Sequence, residues 1–198
     1  MILASRNADK LRELAEILPG VELRSPPVAV EMPPEEGDSF AANALVKARA
    51  VRAATGEATI ADDSGIEAMA LGGRPGIHSA RYAGEGASDE ENLAKLLAEV
   101  AAAGGDRRAS YVCVIARVDD GGEEQTFEGR CAGTLIAEPR GVGGFGYDPA
   151  FVPDDTGPGD ERTMAELGAA EKHAISHRGR AARLLADRPG AEAQGSGR

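Results

Sequence analysis

The chain has 198 residues, 42% hydrophobic and 28% charged, and its 33 acidic side chains outweigh 22 basic ones to give a formal charge of −11. That composition belongs to a globular chain and excludes a disordered or fibrous one, while the negative balance excludes a general nucleic-acid binder, which needs a basic stripe. The longest apolar run, residues 111–116, falls far short of the roughly twenty residues a membrane helix requires, and the start MILASRN lacks a secretory signal, so a cytoplasmic protein without a membrane partner is expected.

Ile2-Leu3-Ala4 reads as a short buried strand, followed by the polar loop Ser5-Arg6-Asn7-Ala8. Leu11, Leu14, Ala15 and Leu18 then recur on one helical face, with Asn7 or Asp9 as N-cap and Pro19-Gly20 as the stop. A second short strand is expected at Val21 to Leu23, and a Pro- and Glu-rich loop over 25–37. A helix starting at Asp38 or Ser39 carries Phe40, Ala44, Ala48 and Val51 on its apolar stripe, with Lys47, Arg49 and Arg52 elsewhere on it, and Gly56 ends it. Residues 58–61 read as a buried strand with Asp62-Asp63-Ser64-Gly65 at its carboxyl end, where ligands gather in α/β sheets. Residues 72–87 are glycine-rich and irregular. Ser88 to Glu91 is a capping box opening a helix with Leu93, Leu96, Leu97 and Val100 facing inward, closed by Gly104-Gly105.

Residues 110–118 carry the strongest strand pattern. A turn at Asp119 to Gly122 sends the chain back as a hairpin, and a separate strand is expected over Thr134 to Ala137. The stretch Gly141 to Asp148 is too rich in glycine for a regular element. A short strand at 150–152, a helix opened by a capping box at Thr163 to Glu166, and a last helix over about 177–186 complete the order, with a flexible tail over 187–198. Lacking Trp, the core is aliphatic, and Cys113 and Cys131 fit no metal spacing and read as buried thiols. The fold expected is α/β, a mixed central sheet flanked by helices, in two lobes with an active-site cleft between them.

Several groups carry chemistry. Two adjacent carboxylates, Asp62 and Asp63, suit a hard divalent cation such as Mg²⁺, or else make an ordinary turn, as Asp119-Asp120 does. Glu35 and Glu36 add acidic groups before a helix, where they equally complement its N-terminus. Ser5 to Lys10 lies between a strand and a helix N-terminus, a phosphate-binding placement, although it lacks the Walker pattern. Phe145 between glycines either stacks on a base or plugs its loop. Lys172, His173, His177 and Arg178 offer donors, or a charged face, ahead of the last helix.

Together these blocks resemble the non-standard purine NTP pyrophosphatases, the inosine triphosphate pyrophosphatase family. The resemblance rests on Ala4-Ser5-Arg6-Asn7 with Lys10, Ser39-Phe40 through Asn43-Ala44 and Lys47-Ala48, Ala61 to Gly65, Pro75 to Tyr82, Gly143 to Pro149, and Ala174 to Gly179, in that order across roughly residues 1–186. It implies one nucleotide pyrophosphatase domain over 1–186. This domain would be a homodimeric hydrolase that splits dITP, ITP or XTP between the α and β phosphates, using Mg²⁺ or alternatively Mn²⁺. It further implies Glu35 and Asp63 as metal ligands, Asp63 as the base for the attacking water, and Asp62 and Glu36 in support. The loop Ser5, Arg6, Asn7, Ala8, Asp9 and Lys10 would bind substrate, with Lys172 on the phosphate chain and Ser64 beside the metal. Phe145, Gly146, Tyr147 and Asp148 would shape the base pocket, and His177 and Arg178 would donate toward the 6-keto oxygen. Asp9 stands where many members carry glycine. The alternatives are a same-fold enzyme for pyrimidine or methylated nucleotides, a generic Mg²⁺ phosphatase, and a nucleotide-binding protein without catalysis.

Overall fold

The computed structural model describes residues 1–187. The elements run β1 (Ile2–Leu3), α1 (Ala8–Ile17), α2 (Phe40–Thr55), β2 (Thr59–Ala68), α3 (Asp89–Ala102), β3 (Arg108–Val118), β4 (Glu124–Leu135), β5 (Phe151–Pro153), α4 (Ala169–Ile175) and α5 (His177–Ala186). The five strands make one sheet in the order β1-β2-β3-β4-β5. β1 runs parallel to β2, and β4 antiparallel to β5, so the sheet is mixed, as the sequence predicts. Among the described residues no helix is long and apolar enough to cross a membrane. The tail expected over 187–198 lies, from residue 188 on, outside the described residues.

The chain divides into two compact units. Among the described residues the first takes 1–63, 114–128 and 179–187, and buries Leu3, Leu14, Ala44, Ala48, Val51, Ile60 and Ile115. The second takes 64–113 and 129–178, around a cluster that includes Ile66, Leu96, Tyr111, Leu135, Phe151 and Met164.

Most helix ends fall where the caps predict. Asn7 caps α1 by accepting from the Asp9 and Lys10 amides, Ser39 caps α2, and Gly56 ends α2 in the left-handed conformation. Four expectations are corrected. Val21 to Leu23 is not a strand. Only Arg24 bridges to Ile2 there, and a three-residue piece next to Pro26-Pro27 has little room to extend a ladder. The segment Asp62 to Gly65 does not leave β2 but lies inside it, because the strand runs ten residues with nearly every position buried. Thr134 and Leu135 belong to β4, whose inward and outward positions alternate through its second half without a break. At Thr163 only a single three-ten turn forms over Met164–Glu166, and the regular helix waits until Ala169.

Candidate active site

In the first unit, β1 ends at the loop that α1 caps. The Asn7 side-chain Oδ1 accepts from the Asp9 and Lys10 amides at 2.9 and 3.0 Å, and the Ser5 hydroxyl accepts from the Asn7 amide at 3.2 Å. Asp9 pairs with Arg12 one turn on, at 2.6 Å, which offsets the charge it adds to this loop. Lys10 reaches back to Asp62, 3.1 Å between Nζ and Oδ2, with the Asp62 side chain wholly buried. Arg6 turns away from this cluster. Its guanidinium donates to the carbonyls of Pro26, Pro27, Val28 and Val30 at 2.8–3.3 Å and so pins the irregular loop that leads to Glu35.

Asp62 and Asp63 sit mid-strand on β2, and α2 supplies what makes their burial tolerable. Asn43 and Lys47 are four residues apart, one above the other on the helix, next to Ala44 and Ala48, whose small side chains allow close approach. Lys47 is therefore buried on the apolar stripe, not elsewhere on the helix as the periodicity predicts. Its Nζ donates to Glu35 Oε1 at 2.5 Å and to the Asp62 carbonyl at 2.7 Å, and lies 3.8 Å from Asp63 Oδ1. Burial alone would lower the Lys47 ammonium, but Asp62, Asp63 and Glu35 together hold it above its ordinary value. Asn43 bridges two segments: its Nδ2 donates to Asp63 Oδ2 at 3.0 Å while its Oδ1 accepts from the Gly37 amide at 2.8 Å. A Cβ on Gly37 would stand 2.6 Å from that oxygen, so glycine is what lets the Glu35 loop close on α2. Burial raises the Asp63 carboxyl, and Glu35 adds to this, against the opposing pull of Lys47, Asn43 and Lys10.

Of the two glutamates, Glu35 is half-buried on Lys47, whereas Glu36 is exposed. Among the described residues no three acidic, His or Cys side chains converge as a metal cage. Mg²⁺ bound with a nucleotide needs only one or two carboxylates, the remaining oxygens coming from phosphates and water. Glu35 and Asp63, gathered on one ammonium, fit that donor set.

The second unit gathers the remaining candidates. The Gly143 amide bonds to the Ala165 carbonyl, and the Phe145 amide to Asp148 Oδ2 at 3.0 Å. The Gly146 amide donates to Asp89 Oδ2 at 2.6 Å, and the Tyr147 hydroxyl to the Ser79 carbonyl at 2.7 Å. Gly144 takes φ 69°, and a Cβ there would lie 2.1 Å from Asp148 Oδ2, so only glycine permits the turn. Asp148 also receives Lys172 Nζ at 2.7 Å and the Tyr111 hydroxyl at 3.1 Å. Lys172 thus stands beside the Phe145 ring, 5.2 Å from its centroid, and the Arg178 guanidinium lies 5.5 Å from the same centroid. Both His177 and Arg178 fall in the first turn of α5, buried, and Arg178 donates to the Ser64 hydroxyl at 3.0 Å.

Four residues in these groups receive no site role from the sequence. Lys47 and Asn43 had a signal: two polar residues four apart, each just before an alanine of the apolar stripe. Asp89 was visible only as part of a helix N-terminus, and Tyr111 only as strand filling.

The match to known proteins spans almost the whole chain. The Ham1 family model covers residues 1–188. A dITP/XTP pyrophosphatase of Geobacter sulfurreducens is 46% identical over 196 residues, 96% of either chain. One of Mycobacterium bovis is 47% identical over 193 residues, covering 93% of this chain and 92% of that protein. A solved HAM1 protein from Coxiella burnetii superposes with a TM-score of 0.82 at 42% identity, over 93% of this chain and 94% of that one. With this coverage, and with the family's sequence blocks placed as described, the chain belongs to the Ham1 family.

Proposed function

We propose that the chain hydrolyses non-standard purine nucleoside triphosphates, dITP, ITP and XTP, at the α–β phosphate bond, releasing nucleoside monophosphate and pyrophosphate. Residues 1–186 would act as one enzymatic domain, in a cytoplasmic homodimer that uses Mg²⁺, with Mn²⁺ as the alternative. The observation that carries this reading is the buried carboxylate set on β2, Asp62 and Asp63 with Glu35, held by Lys47 and Lys10. A protein that merely bound a polyphosphate would gain nothing from buried anions, which repel it. The relatives above are named dITP/XTP pyrophosphatases, which supports the reading.

Glu35 and Asp63 would hold the metal, which when bound neutralises phosphate charge and favours attack by water. Asp63 would also take the proton of that water, and Asn43, donating to its Oδ2, fixes the carboxylate's orientation. Water adds to phosphorus, the bridging P–O bond breaks, and the pyrophosphate oxygen leaves with the bond's electron pair. Lys10 would bind phosphate oxygens at the N-terminus of α1, where the helix dipole favours negative charge. Lys47 keeps Glu35 and Asp63 in place, Asp62 anchors Lys10, and Glu36 extends the acidic rim. On the base side, Phe145 stacks while His177 and Arg178 donate to the 6-keto oxygen. Adenine presents an amino donor there, so two donors would face a third, and a site of this kind can reject the wrong base by roughly 10⁴ or more.

The test is a product assay with Mg²⁺ on dITP, XTP, GTP, ATP and dTTP, with Asp63→Asn alongside. Monophosphate and pyrophosphate from dITP and XTP, little from ATP, and loss by about 10²-fold or more in the variant are expected. Preferential cleavage of dTTP moves the function to the pyrimidine class, orthophosphate release to a generic phosphatase, and full activity in Asp63→Asn removes the carboxylate argument.

A further inference from the structure

We propose that Tyr111 is a positioning residue for base recognition: its ring fixes the plane of the His177 imidazole while its hydroxyl fixes Asp148, so one side chain aligns the groups that tell a keto-purine from an amino-purine. The inference rests on the base-side reading above and extends it to a residue that contacts no substrate.

Tyr111 stands on β3 among aliphatic neighbours, Val112, Val114 and Ile115, and is buried like them. Filling space there does not require an aromatic ring, and the ring does something an aliphatic side chain does not. It lies face to face with His177, centroids 4.5 Å apart and planes within 5°. Phe151 packs edge-on against the same ring, 4.8 Å between centroids at 65°, and holds it from turning. The second side-chain torsion of histidine is broad and roughly two-fold, so an imidazole plane sweeps a wide arc unless a packed face limits it. A hydrogen bond weakens steeply once its angle closes toward about 120°. A flat aromatic face removes that arc before substrate arrives, which is the preorganisation that binding discrimination needs.

The hydroxyl works on a second element of the same recognition surface. It donates to Asp148 Oδ1 at 3.1 Å, leaving Oδ2 for Lys172 and for the Phe145 amide. Asp148 thereby ties the stacking aromatic to the strand that also holds the imidazole. Burial, and then the charge and hydrogen bond of Asp148, push the Tyr111 hydroxyl well above its ordinary value, so it remains a donor at any pH at which the protein works.

The experiment compares Tyr111→Phe, which keeps the ring, with Tyr111→Leu, which does not, in the full-length protein with Mg²⁺. The measured quantity is the ratio of kcat/KM for dITP to that for dATP, beside the proton NMR resonance of the His177 imidazole. A ratio is internal to each preparation, so a smaller folded fraction cancels from it. Tyr111→Phe is expected to keep the upfield ring-current shift and to lose only the smaller share of the ratio that the hydroxyl's bond to Asp148 carries. Tyr111→Leu is expected to lose the shift and to lower the ratio about two- to tenfold, with the loss confined to dITP. An unchanged ratio in Tyr111→Leu, or an equal loss in Tyr111→Phe, overturns the assignment. His177→Ala separates the two levels of the argument. If it leaves the ratio untouched, the base-recognition reading fails; if it lowers the ratio while Tyr111→Leu does not, only the role of Tyr111 falls.

Discussion

A lysine ammonium buried among three acidic side chains is a single point on which much of the first unit's charge balance rests. Replacing Lys47 by methionine keeps the stem and removes the charge on which Glu35 and Asp63 gather, while Lys10 still pairs with Asp62. Breaking a buried pair in this way costs about 3–5 kcal/mol. The pH dependence follows from Asp63. Its folded value is raised above the ordinary 3.8, chiefly by burial, so its contribution to stability is present below that value and lost as pH rises through the folded one. Without Lys47 the folded value climbs further. The destabilisation is therefore expected to be largest at neutral pH and to shrink on acidification, as the carboxyls take up protons. Urea denaturation at pH 7 and pH 5 reads it directly, and equal losses at both would show that packing, not charge, is what Lys47 supplies.

At the scale of elements, the three-ten turn Gly76–Arg81 is tied to α3 through the tyrosine that follows it. The Tyr82 hydroxyl donates to Glu99 at 2.5 Å, Arg74 pairs with the same carboxylate at 3.1 Å, and Lys95 donates to the Tyr82 carbonyl at 2.7 Å. Burial, followed by the hydrogen bond to Glu99, pushes the Tyr82 hydroxyl up to about 12. A folded value raised above 10 means that this contribution is complete below pH 10 and is lost as pH rises through about 12. Melting temperatures of the protein and of Tyr82→Phe are expected to differ at pH 8 and to converge toward pH 12. A constant gap across that range would separate the stabilisation from the hydroxyl's proton.

The same scale shows what the sequence discloses. Helices with a capping residue and a glycine stop, such as α2 between Ser39 and Gly56, are written locally and could be read. So could the blocks that carry the family, because they are short and ordered. The run of β2 through Asp62 and Asp63 could not. Two adjacent carboxylates look like a chain turning toward water, and what keeps them inside is a lysine fifteen residues earlier and an asparagine twenty residues earlier. Tyr111 and Asp89 were hidden for the same reason. Their partners, Asp148 and Gly146, are 37 and 57 residues away, and no local period marks such pairs.

For the whole molecule, the proposed metal role has a thermodynamic consequence. An ion that binds only the folded chain stabilises it by about 2.7 kcal/mol at a hundred times its dissociation constant. Mg²⁺ added to chelator-treated protein is expected to raise the melting temperature, and Glu35→Gln and Asp63→Asn are each expected to abolish the rise, whereas Glu36→Gln preserves it. A rise that survives both of the first two variants would place the ion elsewhere. Measured without nucleotide, the shift separates the metal's contacts with the protein from those it makes with phosphate.

The grip of Arg6 on the loop before Glu35 is made entirely to main-chain carbonyls, those of Pro26, Pro27, Val28 and Val30. A clamp that reads backbone is indifferent to the side chains it passes, and Val28 stands almost fully in solvent. The loop's path is thereby separated from its spelling. The exposed side chains along it, Pro27, Val28 and Ala29, are free to drift in evolution, or to be replaced by a label or an epitope, while the carboxylate a few residues downstream stays where the chemistry wants it.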